Sequence, residues 1–100
     1  MVARSLRLHP DVERDLADGL AFYASHSPIA AERFLDEVEA AFGVIRTAPE
    51  RWPLHGPGTR RYVMATFPYS VIYRVSLAAI EVFAVAHAKR RPFFWRGRHF

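Results

Sequence analysis

The sequence predicts a small α+β fold, with the element order β-α-α-β-β-β and a helical hairpin packed on a mainly antiparallel sheet. Two observations predict this class. Apolar residues recur at helical spacing between residues 10 and 48. Three runs rich in Val, Ile, Tyr and Phe then follow across short connections, which is typical of antiparallel strands. The 100 residues are expected to form a single domain, 1–100.

The first half of the chain contains the predicted helices. Residues 2–8 are expected to form a short strand, and Pro10 suits the first turn of a helix that runs to about residue 25. Ser27 is predicted to cap a second helix, which ends before Pro49. The apolar stripe of this second helix is predicted to consist of Ala31, Phe34, Leu35, Val38, Phe42 and Ile45.

The second half contains the predicted meander. Residues 47–59 hold three prolines and two glycines and are predicted to be a loop. The strands are expected at 60–67, 69–75 and 80–87, with turns at 67–68 and 77–79.

Composition excludes several classes of function. The chain has no cysteine, so it has no disulfide, no thiolate metal site and no cysteine nucleophile. No apolar run has the length of a signal peptide or a membrane span, and a cytoplasmic protein without membrane contact is expected. The five histidines lack metal-ligand spacing, and no phosphate-binding loop or nucleophile motif is present, so neither metal nor cofactor is expected.

Charge is distributed unevenly. Residues 1–50 hold five arginines and nine acidic residues, whereas residues 51–100 hold nine basic residues and only Glu81 as an acid. This asymmetry indicates two surfaces with different partners, and the alternative is ordinary solvated charge that is unevenly spread.

The candidate binding residues lie in the basic half. Cations interleaved with aromatic rings are typical of surfaces that bind RNA or single-stranded DNA. The candidates are Arg60, Arg61, Arg74, Lys89, Arg90, Arg91, Trp95, Arg96 and Arg98. Whether they form one patch or two stays open, and a guanidinium inside a strand, such as that of Arg74, needs a partner or a cleft. The alternative role of Phe93, Phe94 and Trp95 is to fold back and close the sheet. His87 is interpreted as a hydrogen-bonded strand end or, alternatively, as an acid or base.

Five segments carry a resemblance to a known family. They are LHPDVERDL at 8–16, AERFL at 31–35, PERWP at 49–53, FPYSVIYRV at 67–75 and VAHAKRRPFFW at 85–95. Their order and the β-α-α-β-β-β pattern resemble the RelE/ParE superfamily, the toxins of bacterial type II toxin–antitoxin modules. The resemblance covers nearly the whole chain.

The resemblance implies one of two mechanisms. ParE-like members poison DNA gyrase, whereas RelE-like members cleave mRNA on the ribosome. If the chain is a nuclease, the resemblance places His87, Lys89, Arg90 and Arg74 in the catalytic set. However, Ser70 stands where the RelE pattern has an arginine, and the ending KRRPFFW looks more like ParE-type members. The ParE-like reading, without enzymatic activity, is therefore preferred; a RelE-like endonuclease and an inactive antitoxin-binding member are the alternatives.

The resemblance also implies partners. Such toxins are neutralised by an antitoxin whose flexible segment lies along the helical hairpin and the sheet. An acidic segment of this kind is expected to contact Arg60, Arg61, Arg74 and the basic tail. Operator DNA is expected to be bound only through the antitoxin.

Overall fold

A computed structural model describes residues 4–100 and has the predicted order of elements. Positions 2 and 3 of the predicted first strand lie outside the described residues. The elements are β1 (Ser5–Leu8), α1 (Pro10–Ala24), α2 (Pro28–Thr47), β2 (Arg60–Val63), β3 (Tyr69–Val75) and β4 (Ala79–His87). A 3-10 helix at Phe94–Gly97, which the sequence did not predict, follows β4. The α+β class and the β-α-α-β-β-β order are confirmed.

The four strands form one mixed sheet in the order β1-β4-β3-β2. β1 runs parallel to β4, and the other two pairings are antiparallel, as a mainly antiparallel sheet requires. The prediction that β2 extends to residue 67 was wrong, because the strand ends at Val63. Beyond it, a carboxylate oxygen of Glu37 on α2 accepts the Thr66 backbone N–H at 2.7 Å, so this amide bonds to the helix instead of a neighbouring strand.

Both helices begin at side-chain caps. The Nδ1 of His9 accepts the Asp11 N–H at 3.0 Å, and the Ser27 hydroxyl accepts the Ala30 N–H at 2.9 Å. A cap of this kind supplies an acceptor for an otherwise unpaired donor of the first turn. The predicted cap at Ser27 is confirmed, whereas the His9 cap was not predicted.

The buried stripe of α2 differs from the predicted one at three positions: Leu35 is exposed, Phe42 is only partly buried, and Ala41 is part of the core. Leu35 was expected in the core but is 40% exposed, while Ala41 is 1% exposed. The small Ala41 side chain faces the sheet, and the stripe therefore runs through Ala31, Phe34, Val38, Ala41 and Ile45. The prediction for Leu35 was wrong because this residue lies at the edge of the buried stripe, where its side chain is partly open to solvent.

Each face of the sheet has its own core. The main core lies between the sheet and the helical hairpin and includes Phe34, Ile45, Tyr73 and Val82. The smaller core lies on the opposite face, where Ile72, Phe83 and Ala84 pack with Trp95, and Phe93 and Phe94 cover its edge. The C-terminal tail (residues 88–100) thus folds back and closes the second face of the sheet. Within residues 4–100, no helix has both the length and the apolar character needed to cross a membrane.

Candidate functional site

The C-terminal tail and the sheet enclose a shallow groove of about 250 Å³ on the face opposite the helices. We call it the tail groove. Three arginines, Arg61, Arg90 and Arg91, line it together with His55 and His87. Its remaining walls are mostly small or apolar: Ser70, Ile72, Ala86, Ala88, Pro92, Phe93, Phe94 and Trp95.

Strand alternation places one arginine of β2 in the tail groove and directs its neighbour away from it. Arg61 pairs with Ile72, a residue of the smaller core, so its side chain lies on the tail side of the sheet. Arg60 pairs with Tyr73, a residue of the main core. Its guanidinium donates hydrogen bonds to the backbone oxygens of Trp52 at 2.7 Å and Glu50 at 3.2 Å. Arg60 therefore fastens the loop 48–59 to the sheet and is absent from the tail groove.

The turn after β4 supplies the other two arginines. The Arg90 N–H donates to the His87 carbonyl at 3.0 Å, which closes the turn and directs the tail back over the sheet. The Arg90 guanidinium lies 3.8 Å from the centre of the Phe94 ring. Among the described residues, no carboxylate oxygen lies within the 4.0 Å of an ion pair from Arg61, Lys89, Arg90 or Arg91. The tail groove therefore presents positive charge without an internal counterion.

His55 belongs to this site, although sequence analysis counted it only among scattered histidines. Its ring stacks on the Phe93 ring, with 5.1 Å between centroids and 15° between planes. Burial, followed by the positive charge of Arg61, lowers the pKa of His55 from its ordinary value. The neighbouring Gly56 adopts φ +79°, and a Cβ there would lie 3.0 Å from the Phe93 ring. The sequence held one signal for this close approach, namely a glycine directly after His55 in the predicted loop. Glycine adopts positive φ readily and has no Cβ that would meet the ring.

The aromatic rings of the C-terminal tail pack against other residues of the fold. Trp95 is 6% exposed and packs in the smaller core. Phe93 has His55 at 5.1 Å and the Arg96 guanidinium at 4.9 Å from its ring centre. Phe94 has guanidinium groups of Arg90 at 3.8 Å and Arg98 at 5.2 Å. Of the two roles considered for these rings, closing the sheet is the one that the geometry supports, and Trp95 has almost no surface for an outside partner.

Arg74, whose position inside a strand was expected to need a partner, is paired with Glu81 on β4. Its guanidinium donates two hydrogen bonds to one Glu81 oxygen, at 2.6 and 2.9 Å, across the β3–β4 pair. Arg7 on β1 lies 3.8 Å from the other oxygen of the same carboxylate. Glu81 is thus held between two cations. Arg74 does not line the tail groove, so the predicted basic residues form more than one group.

Arg98 is also bound within the chain. It donates two hydrogen bonds to Asp15 on α1, at 2.7 and 3.0 Å, and a third to the Phe83 carbonyl at 3.0 Å. Asp15 accepts in addition the Val85 N–H at 3.1 Å. β1 pairs with β4 only as far as Val82, so this ion pair bonds to backbone groups of β4 that have no strand on the β1 side. The hydrogen bond to Asp15 raises the pKa of Arg98, despite its burial.

His87 ends β4. Its Nδ1 accepts the Lys89 N–H at 3.0 Å, and its ring meets the edge of Tyr69 at 4.9 Å. These contacts fit the interpretation of His87 as a hydrogen-bonded strand end. Lys89 and Arg96 are exposed, and neither lines the tail groove. Within the part of the chain that the structure describes, no cluster of three histidine or acidic side chains is placed to hold a metal ion.

Comparisons with known proteins identify the class. The fold matches a chain in a structure described as the chromosomal ParDE TA system from P. aeruginosa, with a TM-score of 0.77 and 18% sequence identity. The match covers 87% of this chain and 98% of the other. The helical hairpin and the mixed sheet are therefore the fold found in that toxin–antitoxin system.

Sequence comparisons then show the family. A family model described as "ParE toxin of type II toxin-antitoxin system, parDE" matches residues 6–92. Toxin ParE2 of Mycobacterium tuberculosis, found in two strains, is 32% identical over 92 residues, which is 91% of this chain and 88% of the relative. The chain belongs to the ParE toxin family of type II toxin–antitoxin systems. The resemblance to the RelE/ParE superfamily is therefore confirmed, and the preference for a ParE-like member over a RelE-like one is supported.

Proposed function

We propose that this protein acts in the cytoplasm as a toxin that inhibits DNA gyrase, without catalysing a reaction of its own. The observation that carries the proposal is the match to the ParE family over residues 6–92. Ser70 supports it, because this serine lies in the tail groove where the RelE pattern has an arginine. A serine hydroxyl supplies no positive charge for a phosphate in its transition state.

A pair of assays with purified toxin tests this proposal. Gyrase supercoiling and cleavage are measured beside cleavage of ribosome-bound mRNA. Trapped gyrase–DNA cleavage complexes with intact mRNA are the expected result. Cleaved mRNA with unaffected gyrase would overturn it. If folded protein leaves both intact, the gyrase proposal fails as well, and the alternative of an inactive member is favoured.

The mRNA endonuclease remains the second candidate, and one observation favours it. The tail groove brings Arg61 and Arg90 together with two histidines, and burial followed by the charge of Arg61 lowers the pKa of His55, which favours its neutral form. A neutral imidazole beside arginines has the groups needed to deprotonate a ribose hydroxyl and to stabilise a phosphorane. His55→Ala separates the two functions, because it would abolish mRNA cleavage without removing any arginine of the groove.

We also propose that a cognate antitoxin holds the toxin inactive by covering the helical hairpin. Phe22 on α1 and Ile29 on α2 are 55% and 60% exposed, which offers apolar anchors to an amphipathic segment. Ile29→Asp is expected to lower the affinity of the toxin for its cognate antitoxin. Isothermal titration calorimetry with the purified antitoxin measures this affinity. Glu39→Ala, an exposed change elsewhere on α2, is the matched control. Equal affinities for the two variants would contradict the proposed surface.

A further inference from the structure

A second cavity lies at the edge of the sheet, between α1 and the end of β4, and has a volume of about 250 Å³. β1 pairs with β4 only as far as Val82, so no strand of residues 4–100 fills the space between the last residues of β4 and the helix. The lining includes Asp15, Asp18 and Phe22 from α1, Tyr69 from β3, Val85 from β4 and Arg90 from the turn after it. We call this space the edge cavity.

Two opposite charges line the edge cavity without pairing. Asp18 and Arg90 are both exposed, and they come from different elements, α1 and the turn after β4. Within residues 4–100, neither side chain has an ion-pair partner within 4.0 Å. The Arg90 guanidinium lies instead 3.8 Å from the centre of the Phe94 ring. A molecule that carries both a cation and an anion would be stabilised by the two charges together.

The hydroxyl of Tyr69 is a buried polar group that also faces this space. Tyr69 is 7% exposed, and its hydroxyl has no hydrogen-bond partner among the residues that the structure describes. A Cβ on Gly19 would lie 3.1 Å from this oxygen, so the hydroxyl lies against the turn of α1 that carries Asp18. Burial, followed by Coulombic repulsion from Tyr23, Asp18 and Asp15, raises the pKa of Tyr69. A ligand that bonds to this hydroxyl replaces the hydrogen bond to water that burial removed.

The edge of β4 supplies a further acceptor. Val85 donates its N–H to Asp15 at 3.1 Å. In a strand, the carbonyl of a residue points to the same side as its N–H, so the Val85 carbonyl also faces α1. The Asp18 carboxylate, the Tyr69 hydroxyl and this carbonyl are therefore three acceptors on the lining of one cavity. An ammonium group has three N–H donors, which matches this number.

The rest of the lining and the volume define the remainder of the ligand. The Arg90 guanidinium is suited to bind a carboxylate through paired hydrogen bonds. Phe22 is 55% exposed and offers an apolar surface. At about 30 Å³ for each water-sized group, the cavity holds roughly eight non-hydrogen atoms. That is the size of a small free amino acid and less than the size of a peptide.

We propose that the edge cavity binds a free α-amino acid with an aliphatic side chain. The ammonium group donates hydrogen bonds to Asp18, Tyr69 and the Val85 carbonyl. The carboxylate pairs with Arg90, and the side chain lies against Phe22. Such binding is independent of any action on gyrase, because it requires only residues of this chain and is measured on the toxin alone.

Isothermal titration calorimetry of the full chain with L-leucine tests the site, and saturable binding at millimolar concentration is expected. Asp18→Asn, Tyr69→Phe and Arg90→Gln should each weaken binding about tenfold, because each removes a hydrogen bond to a charged group of the ligand. Glu13→Gln and Arg91→Gln are the matched controls. They change exposed residues that do not line the edge cavity and should leave the affinity unchanged. Thermal unfolding verifies that every variant is folded.

Two analogues of leucine assign its charged groups to the two ends of the cavity. Leucinamide lacks the carboxylate, and 4-methylpentanoate lacks the ammonium group, so each should bind about tenfold more weakly than leucine. Arg90→Gln should not weaken the binding of leucinamide further, and Asp18→Asn should not weaken that of 4-methylpentanoate further. If both variants weaken both analogues equally, the two charges are not recognised in this orientation, and the proposal fails.

A last comparison tests the size of the ligand. Glycine has no side chain to lie against Phe22, and the dipeptide leucyl-leucine exceeds the volume of the cavity, so both should bind more weakly than leucine. Tighter binding of the dipeptide than of leucine would identify a peptide site and overturn the proposal. It would also be overturned by an absence of saturable leucine binding at millimolar concentration, or by equal losses of affinity in Asp18→Asn and Glu13→Gln.

Discussion

The Asp15 carboxylate and the Arg98 guanidinium join the first helix to the C-terminal tail by two hydrogen bonds of 2.7 and 3.0 Å. Both side chains are largely removed from water, with exposures of 3% and 12%. Removing Arg98 therefore leaves a buried carboxylate without its partner, which costs far more than the loss of a surface ion pair.

Arg98→Ala is expected to lower the free energy of unfolding by about 3–5 kcal/mol. Urea denaturation of the two proteins measures this difference. Arg96→Ala is the matched control, since Arg96 is an exposed arginine two positions away, and its change should stay below about 1 kcal/mol. Equal losses for the two variants would show that the Asp15–Arg98 pair contributes nothing special.

Two helical glycines should respond in opposite directions to the same substitution. A Cβ on Gly19 in α1 would lie 2.6 Å from the Phe34 ring of α2, whereas a Cβ on Gly43 in α2 meets nothing within 4 Å. Gly43→Ala should stabilise the protein by up to about 1 kcal/mol through helix propensity. Gly19→Ala should destabilise it by about 1–3 kcal/mol, because Phe34 must leave its place in the core. Thermal unfolding measures both, and stabilisation by Gly19→Ala would contradict the described helix packing.

Stability measurements should separate the structural arginines from the free ones. Arg74→Ala leaves Glu81, which is 9% exposed, with only the more distant Arg7, and should cost about 1–3 kcal/mol. Arg61→Ala removes a cation that has no carboxylate partner within residues 4–100 and should change stability by less than about 0.5 kcal/mol. Denaturant midpoints of the two variants measure the contrast. A loss at Arg61 as large as that at Arg74 would show that Arg61 has a structural role.

Alkaline pH should destabilise the fold in part through Tyr73. Its hydroxyl donates to the Pro49 carbonyl at 2.6 Å, and burial raises its pKa to about 12 from an ordinary 10.0. The unfolded chain ionises first, so the stabilisation is complete below pH 10 and is lost between pH 10 and 12. Tyr73→Phe should be less stable at pH 7 by about 1 kcal/mol and should lose less stability above pH 10. The free energy of unfolding of both proteins is measured by urea denaturation at several pH values. An equal loss of stability in the two proteins between pH 10 and 12 would contradict this assignment.

The sequence was sufficient to predict elements that depend on local patterns. Ser27 and Pro28 start α2, and the proline-rich loop separates the helices from the meander, because both signals act within a few residues. The left-handed backbone of Phe93, with φ 58°, has no such local signal, and the 3-10 helix after it was therefore missed. The burial of Asp15 has no local signal either, because it depends on the distant partner Arg98.

The candidate site shows the same limit. The basic residues that could bind a partner are visible in the sequence. The sequence does not show which of them already form hydrogen bonds or ion pairs within the fold. Arg60 and Arg61 are adjacent in the chain, yet one fastens a loop and the other lines the tail groove. Strand register, which long-range pairing determines, makes that difference.

The pairing of β1 with β4 has a consequence for how the toxin is synthesised. Ser5 lies beside Ala79, and Asp15 forms an ion pair with Arg98, so segments that are more than 70 residues apart in the sequence are needed to complete the fold. Contacts so distant in sequence require the closure of a long loop before they contribute. A nascent chain that has not yet emerged through Ala79 lacks both contacts, and one that has not emerged through Arg98 still lacks the second. Folding of this domain is therefore completed only after Arg98 has emerged from the ribosome.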